Sequence, residues 1–157
     1  MKVSIIMPCY NVENTLLRAL DSIIMQTVDF EYEILVIDDA STDHTVELAQ
    51  KYATLHPQIK VICNKENRGN AYTYYIGLCA AQGDYFCVLD GDDYYTIPDK
   101  LQRQVDFLDS DSETEYVGTA TQYIIDLGDD MVCIPVRSTY HEFTYTDFLT
   151  QHSGYYH

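Results

Sequence analysis

The sequence has little positive charge and no tryptophan. Its 157 residues include 9 lysines and arginines against 25 aspartates and glutamates, which gives a formal net charge of −16. A protein that binds DNA or RNA needs a basic face for the phosphates, so this balance argues against a nucleic-acid partner. It also argues against simple electrostatic adhesion to anionic lipid. It leaves a nucleotide ligand open, because a bound metal can supply positive charge locally.

The chain also lacks long apolar runs and paired cysteines. No stretch reaches the length of a membrane span, and the apolar run near the amino terminus is too short for a signal peptide. The five cysteines, at positions 9, 63, 79, 87 and 133, form no CxxC pair. This pattern predicts buried free thiols in a cytoplasmic protein and disfavours a disulfide framework or a zinc site.

Two nucleotide-binding motifs are missing. No GxGxxG follows the first predicted strand, and GxxxxGK[ST] occurs nowhere in the chain. The absence of both motifs therefore argues against a dinucleotide-binding Rossmann domain and against a P-loop nucleotide hydrolase.

Short apolar runs alternate with segments of helical spacing along most of the chain. The runs predict strands at residues 3–7, 32–37, 59–63 and 84–89, the last of them buried. The spacing predicts helices around 16–24, up to about 54, over 71–82 and from Pro98 onwards. Strands at 116–125 and 131–134, a turn at 126–130 and a short helix at 144–150 are predicted beyond these. The alternation predicts an α/β domain with a mostly parallel central sheet flanked by helices.

Polar clusters follow three of the predicted strands, and in such sheets ligands bind outside the carboxyl ends of the strands. The clusters are Pro8-Cys9-Tyr10-Asn11, Asp38-Asp39 and Asp90-Gly91-Asp92-Asp93. The third places three carboxylates within four residues, and such like charges repel unless a positive charge lies among them. Carboxylate oxygens suit hard ions such as Mg²⁺ or Mn²⁺. The sequence therefore predicts a metal that carries a diphosphate at this edge.

The Asp38-Asp39 pair has two interpretations. One aspartate can cap the following helix while the other is solvated. Alternatively, a carboxylate at the end of a strand can bind a ligand, and because it only accepts hydrogen bonds it suits an N–H donor such as a pyrimidine imide.

These segments resemble the amino-terminal half of family 2 glycosyltransferases over roughly residues 3 to 108. The resemblance rests on several motifs in the expected order: Val3-Ser4-Ile5-Ile6-Met7-Pro8-Cys9-Tyr10-Asn11, Leu20-Asp21-Ser22-Ile23-Ile24-Met25-Gln26-Thr27, Ile34-Leu35-Val36-Ile37-Asp38-Asp39-Ala40-Ser41-Thr42-Asp43, Asn67-Arg68-Gly69, Gly77-Leu78, Ala81-Gln82-Gly83-Asp84-Tyr85, and Leu89-Asp90-Gly91-Asp92-Asp93 with Pro98.

The resemblance implies a Rossmann-like GT-A fold, a nucleotide-sugar donor (usually a UDP-sugar), a divalent cation (Mn²⁺ or Mg²⁺) and inversion at the anomeric carbon. It further suggests synthesis of a cell-surface polysaccharide or a similar glycan, with a glycan or a lipid-linked acceptor. Because the sequence shows neither a signal peptide nor a membrane span, we expect a cytoplasmic protein, with peripheral association at the inner face of the membrane open for a full-length member.

The resemblance also assigns roles to individual residues. Pro8 and Tyr10 correspond to the loop that packs on the base, and Asp39 to the carboxylate that contacts uracil, with Asp38 beside it. Asp90 and Asp92 correspond to the two acids of a DxD motif that serve the ribose and the metal. The expected donor site is completed by Asn11, Asn67 and Gly69, and Asp93 is an additional candidate metal ligand.

The chain departs from the family pattern in two respects. Many members carry Ala-Arg-Asn shortly before the glycine that corresponds to Gly77, whereas this chain has Thr73-Tyr74-Tyr75. Members also usually continue well beyond 157 residues, so we expect residues 1–157 to be a donor-binding domain whose acceptor half and catalytic base lie downstream. The alternatives are a non-catalytic nucleotide-sugar-binding module and a sugar-phosphate nucleotidyltransferase. The latter would need a glycine-rich, arginine-containing loop after the first strand, where Pro8-Cys9-Tyr10-Asn11 stands.

Overall fold

The computed structural model describes residues 1–110, 124–126 and 131–133. The chain divides into two compact units, residues 1–116 and 117–157. In the first unit strands and helices alternate, and their bounds are β1 Val3–Cys9, α1 Leu16–Ile24, β2 Tyr32–Asp38, α2 Thr45–Leu55, β3 Ile59–Cys63, α3 Asn70–Ala80, β4 Tyr85–Val88 and α4 Lys100–Asp109.

The four strands form one parallel sheet in the order β3-β2-β1-β4. Met7 of β1 lies opposite Val36 of β2, and Ile6 lies opposite Val88 of β4. The parallel pairing and the alternation with helices confirm the predicted Rossmann-like α/β fold. The carboxyl ends of all four strands consequently meet at one edge.

Helices cover both faces of the sheet, which explains why β1 and β2 are almost continuously apolar. On one face, side chains from α1, α2 and α4 pack with Ile5 and Ile34 in the larger core cluster. On the other face, α3 packs against a smaller cluster of Ile6, Leu35 and Ile37. The close approach of α3 depends on Gly77, because a Cβ there would lie 2.4 Å from Ile6 Cγ2.

Strand β1 extends beyond its predicted end and includes Pro8. The carbonyl of Pro8 accepts a hydrogen bond from Gly91 N at 3.1 Å, so the missing N–H of Pro8 faces the same side. On that side the regular ladder with β4 has already ended at Ile6. The proline therefore removes no ladder hydrogen bond, and β1 continues to pair with β2 as far as Cys9.

Strand β4 is less buried than predicted. It pairs with β1 at one side of the four-stranded sheet, and its side chains alternate, with Phe86 60% and Val88 41% exposed. The prediction of buried cysteines is also wrong in part. Cys9 is buried and Cys87 half-buried, whereas Cys63 and Cys79 are exposed.

The described part of the second unit is an antiparallel strand pair. β5 (Ile124–Asp126) pairs with β6 (Met131–Cys133), with Ile125 opposite Val132. These strands overlap the two predicted there, while most of the predicted turn at 126–130 and the predicted helix at 144–150 lie outside the described residues. Within the described part of the chain, every helix is too short or too polar to cross a bilayer.

Candidate donor-binding site

A cavity of about 460 Å³ opens at the carboxyl edge of the sheet, where the three polar clusters meet. It lies between the segments that follow β1, β2 and β4 and the start of α3. The residues predicted from sequence that line it are Pro8, Tyr10, Asp39, Asn67, Gly69, Asp90 and Asp92. Asn11, Asp38 and Asp93 are not among the lining residues.

Asn11 connects the loop after β1 to the loop after β2 through hydrogen bonds. Its Oδ1 accepts a hydrogen bond from Thr42 N at 2.8 Å, and its own N–H donates to Ser41 Oγ at 2.9 Å. Its φ of 53° lies in the left-handed region, which asparagine tolerates better than most residues. The side chain therefore shapes the loop that presents Tyr10.

Further cross-loop hydrogen bonds extend this connection towards α2. Val12 N donates to Thr45 Oγ1 at 2.9 Å, and Glu13 N donates to Asp43 Oδ2 at 3.0 Å. In the opposite direction His44 N donates to Glu13 Oε2 at 2.9 Å. The backbones after β1 and β2 are thus held together, and the walls that Tyr10 and Asp39 form have a fixed spacing.

Asp38 lies beneath the site and is 2% exposed. Its Oδ2 accepts a hydrogen bond from Ser41 N at 3.0 Å, which closes the turn before α2. Its Oδ1 is buried without a hydrogen-bond partner in the described part of the chain. Burial and the negative charge of Asp38 raise the pKa of the neighbouring Cys9 thiol, so Cys9 is a neutral thiol in the cavity wall.

Asp39 lines the cavity and also holds the loop before α3 through hydrogen bonds. Asn64 Nδ2 donates to its Oδ1 at 2.7 Å, Gly69 N donates to its Oδ2 at 2.8 Å, and Arg68 N lies 3.1 Å from both oxygens. Burial opposes ionisation of this carboxyl group, but these donors outweigh it and lower the pKa of Asp39. The carboxylate therefore stays charged and orders the loop that carries Asn67.

The acidic turn after β4 is pinned against β1. Gly91 is buried there, and a Cβ at this position would lie 2.7 Å from Cys9 Sγ. Thr15 Oγ1 donates to the Gly91 carbonyl at 3.0 Å, and Asp93 N donates to the Asp90 carbonyl at 2.9 Å. Glycine at this position thus lets the turn approach the end of β1 closely.

Within the described residues, no lysine, arginine or histidine forms an ion pair with the carboxylates of this turn. Burial, with the negative charges of Asp92 and Asp90, raises the pKa of Asp93. Asp90 Oδ1 accepts a hydrogen bond from the neutral Tyr74 hydroxyl at 2.7 Å. The turn therefore presents mutually repelling carboxylates beside the cavity.

This arrangement fits a metal that is shared with a ligand. In the part of the chain that the structure describes, no group of three His, Cys, Asp or Glu side chains converges closely enough to hold an ion. Mg²⁺ commonly binds one or two protein carboxylates and takes its other oxygens from phosphates and water. Asp90 and Asp92 both line the cavity and offer oxygens of this kind.

Sequence reasoning missed several residues at the site. Asn64 directly follows β3 and donates to Asp39, so the rule that polar residues after strands meet at one edge could have found it. Thr73 lies in the cavity wall, and Tyr74 contacts Asp90. Both lie where the chain departs from the family pattern, and no sequence signal indicated these contacts.

The parallel sheet and the acidic turn at its carboxyl edge match the GT-A fold that the resemblance implies, and comparison with known proteins agrees. The profile of glycosyl transferase family 2 matches residues 4–156, so the chain belongs to this family. EpsE of Bacillus subtilis, a glycosyltransferase by name, is 41% identical over 119 residues, which are 75% of this chain and 42% of EpsE. An uncharacterized glycosyltransferase of Haemophilus influenzae is 38% identical over 106 residues, which are 68% of this chain and 42% of that protein. The chain thus spans about two fifths of the length of these relatives.

Solved structures of similar proteins share the fold. TarS of S. aureus, solved with UDP, is 32% identical with a TM-score of 0.63, and the match covers 70% of this chain and 32% of the TarS chain. A mannosyltransferase from Pyrobaculum calidifontis, solved with GDP-Man and Mn²⁺, is 30% identical with a TM-score of 0.63 over 69% of this chain and 32% of that chain.

Proposed function

We propose that the cavity binds a UDP-sugar together with a divalent cation, Mn²⁺ or Mg²⁺, and that residues 1–157 are the donor-binding domain of an inverting glycosyltransferase. The observation that carries the proposal is the convergence of Asp39, Asp90 and Asp92 with Pro8 and Tyr10 around one cavity. The membership of family 2 and the UDP complex of the similar TarS support it.

The uracil base of the nucleotide would lie between Tyr10 and Asp39. Tyr10 is 50% exposed, so its ring face is accessible to a planar ligand, and Pro8 adds an apolar surface beside it. A carboxylate offers about four lone-pair sites. Three donors make four contacts with Asp39, because Arg68 N lies 3.1 Å from both oxygens. The imide N–H of uracil would replace one of the two contacts from Arg68 N.

The diphosphate would need a cation. The cavity-lining residues include three carboxylates and, among the described residues, no lysine or arginine. An anionic ligand is repelled from such a site unless positive charge enters with it. Asp92, with Asp90 and Asp93 nearby, would hold the metal, which when bound neutralises charge on the leaving diphosphate.

The transfer itself would proceed by attack of an acceptor hydroxyl on the face of the sugar opposite the diphosphate. As the oxygen of the hydroxyl bonds to the anomeric carbon, the bond from that carbon to the diphosphate oxygen would break and release UDP, and the hydroxyl would lose its proton to a carboxylate base. The contribution of this chain is to hold the base, ribose and diphosphate so that the anomeric carbon faces the acceptor side.

We further propose that the whole protein acts in the synthesis of a cell-surface polysaccharide, in the cytoplasm or at the inner face of the membrane, on a glycan or lipid-linked acceptor. One relative, TuaG of Bacillus subtilis, is named for teichuronic acid biosynthesis and is 35% identical over 106 residues, which are 68% of this chain and 41% of TuaG. The exposed free thiols of Cys63 and Cys79 fit a reducing compartment.

Calorimetry with UDP and a panel of UDP-sugars, with Mn²⁺ and with EDTA, tests the proposal. We expect the parent to bind UDP only with Mn²⁺ and Asp92→Asn to lose this binding while remaining folded. Asp84→Asn makes the same chemical change at the opposite end of β4 and should bind as the parent does. Absence of Mn²⁺-dependent UDP binding by the parent would refute the proposal, and UDP binding by the intact protein without transfer would favour a non-catalytic module.

A further inference from the structure

Tyr74 joins the hydrophobic core to the acidic turn. Its ring packs against the cluster of Ile6, Leu35 and Ile37 on the α3 face of the sheet. Its hydroxyl donates to Asp90 Oδ1 at 2.7 Å. Because the ring is packed against the core, the position of the hydroxyl is set by the fold and does not depend on a mobile side chain.

This hydrogen bond orients the Asp90 carboxylate. Asp90 lines the cavity, and because its Oδ1 accepts the bond from Tyr74, Oδ2 has the greater capacity to accept hydrogen bonds from a ligand. A short hydrogen bond from a hydroxyl group to an ionised carboxylate is stronger than a hydrogen bond between two neutral groups. The tyrosine hydroxyl carries no positive charge, so it orients the carboxylate without placing a countercharge beside it.

We propose that Tyr74 is a positioning residue for donor binding: it holds Asp90 so that Oδ2 accepts hydrogen bonds from the ribose hydroxyls of the nucleotide. The inference rests on the proposed function, because it requires a nucleotide in the cavity with its ribose at Asp90. Tyr74 lies on α3 outside the cavity lining, and it would act on the nucleotide through Asp90.

The test compares Tyr74→Phe with Tyr75→Phe. Tyr74→Phe removes the hydroxyl and keeps the packed ring, whereas Tyr75→Phe makes the same change at an adjacent side chain that is 59% exposed. Affinities for UDP and for 2′,3′-dideoxy-UDP are measured by calorimetry with Mn²⁺, with competition titrations for the weaker ligand. Thermal unfolding of each variant is followed in parallel.

For Tyr74→Phe we expect the UDP affinity to fall about tenfold, the loss typical of one hydrogen bond to a charged group. The affinity for 2′,3′-dideoxy-UDP should change less than twofold, because this ligand lacks the hydroxyls that Asp90 would contact. Tyr75→Phe should bind both nucleotides as the parent does.

Two results would overturn the inference. The first is an unchanged UDP affinity in Tyr74→Phe, and the second is an equal loss for both nucleotides, which would show a general structural role of Tyr74. A parent protein that binds no UDP with Mn²⁺ would instead refute the proposed function itself, so the two failures are distinguishable.

Discussion

Replacing Asp39 by asparagine should both destabilise the protein and weaken nucleotide binding. Asp39 is 4% exposed, and its carboxylate accepts hydrogen bonds from Asn64 Nδ2, Arg68 N and Gly69 N. Asparagine keeps one acceptor oxygen but turns an NH₂ group towards these donors. Because a hydrogen bond to a charged group contributes about 1.5–3 kcal/mol, losing one and weakening the rest should cost about 2 kcal/mol at pH 7.

The loss of folding stability in Asp39→Asn should become smaller as the pH falls. The pKa of Asp39 is lowered in the folded protein, where burial is outweighed by the surrounding donors. A carboxyl group with a lowered folded pKa stabilises the fold above its unfolded pKa of about 3.9, and this stabilisation is lost as the pH falls through the folded value. The difference between parent and Asp39→Asn should therefore be constant above about pH 5 and shrink below about pH 4.

Urea unfolding of both proteins between pH 7 and pH 3.5 measures this difference. Asp29→Asn serves as the control, because it makes the same change at an exposed side chain and should cost less than about 0.5 kcal/mol. Titration of UDP with Mn²⁺ should also show weaker binding to Asp39→Asn, since the loop that carries Asn67 and Gly69 is no longer held. A stability loss no larger than that of Asp29→Asn, or one that does not change with pH, would refute the assigned role of the carboxylate.

Three further substitutions test separate parts of the structure. Gly77→Ala should lower the free energy of unfolding by about 1–3 kcal/mol, because the added Cβ would lie 2.4 Å from Ile6 Cγ2; a rise in the melting temperature, as helix propensity alone predicts, would contradict this packing. Tyr10→Ala should weaken UDP binding without changing the melting temperature, because the ring is half exposed, and an unchanged affinity would remove Tyr10 from the base site. A hydrogen bond to Glu13 and the negative charge of that residue raise the pKa of His44 above its unfolded value of 6.5. The parent should therefore be more stable than His44→Gln at a pH below 6.5. This advantage should be lost as the pH rises through the pKa of His44 in the folded protein. A difference between these two proteins that is the same at pH 6 and pH 9 would contradict the His44–Glu13 pairing.

The apolar pattern was sufficient to predict the order of elements. Strand β3 was predicted with its observed bounds, Ile59–Cys63. Pro57 on one side and a polar loop on the other limit the short apolar run to these residues. The alternation of strands and helices then implied a parallel sheet, and with it the meeting of Asp39 and Asp90 at one edge.

The same pattern did not reveal which strand would be most exposed. Among the described strands β4 pairs only with β1, and its side chains Phe86 and Val88 are 60% and 41% exposed. Strand β4 reads as apolar in the sequence, but burial depends on what covers it, which is a property of the packed sheet and not of the strand.

The sequence by itself therefore determined which elements form and which strand ends carry polar side chains. The tertiary structure decided the roles of individual residues at those ends. Asp38 and Asp39 are adjacent, yet successive side chains at the end of a strand point in opposite directions, so one closes a buried turn and the other lines the cavity. The contact between Tyr74 and Asp90, sixteen residues apart, exists only because α3 packs closely on β1. Such contacts depend on distances between elements, which the order of residues along the chain does not encode locally.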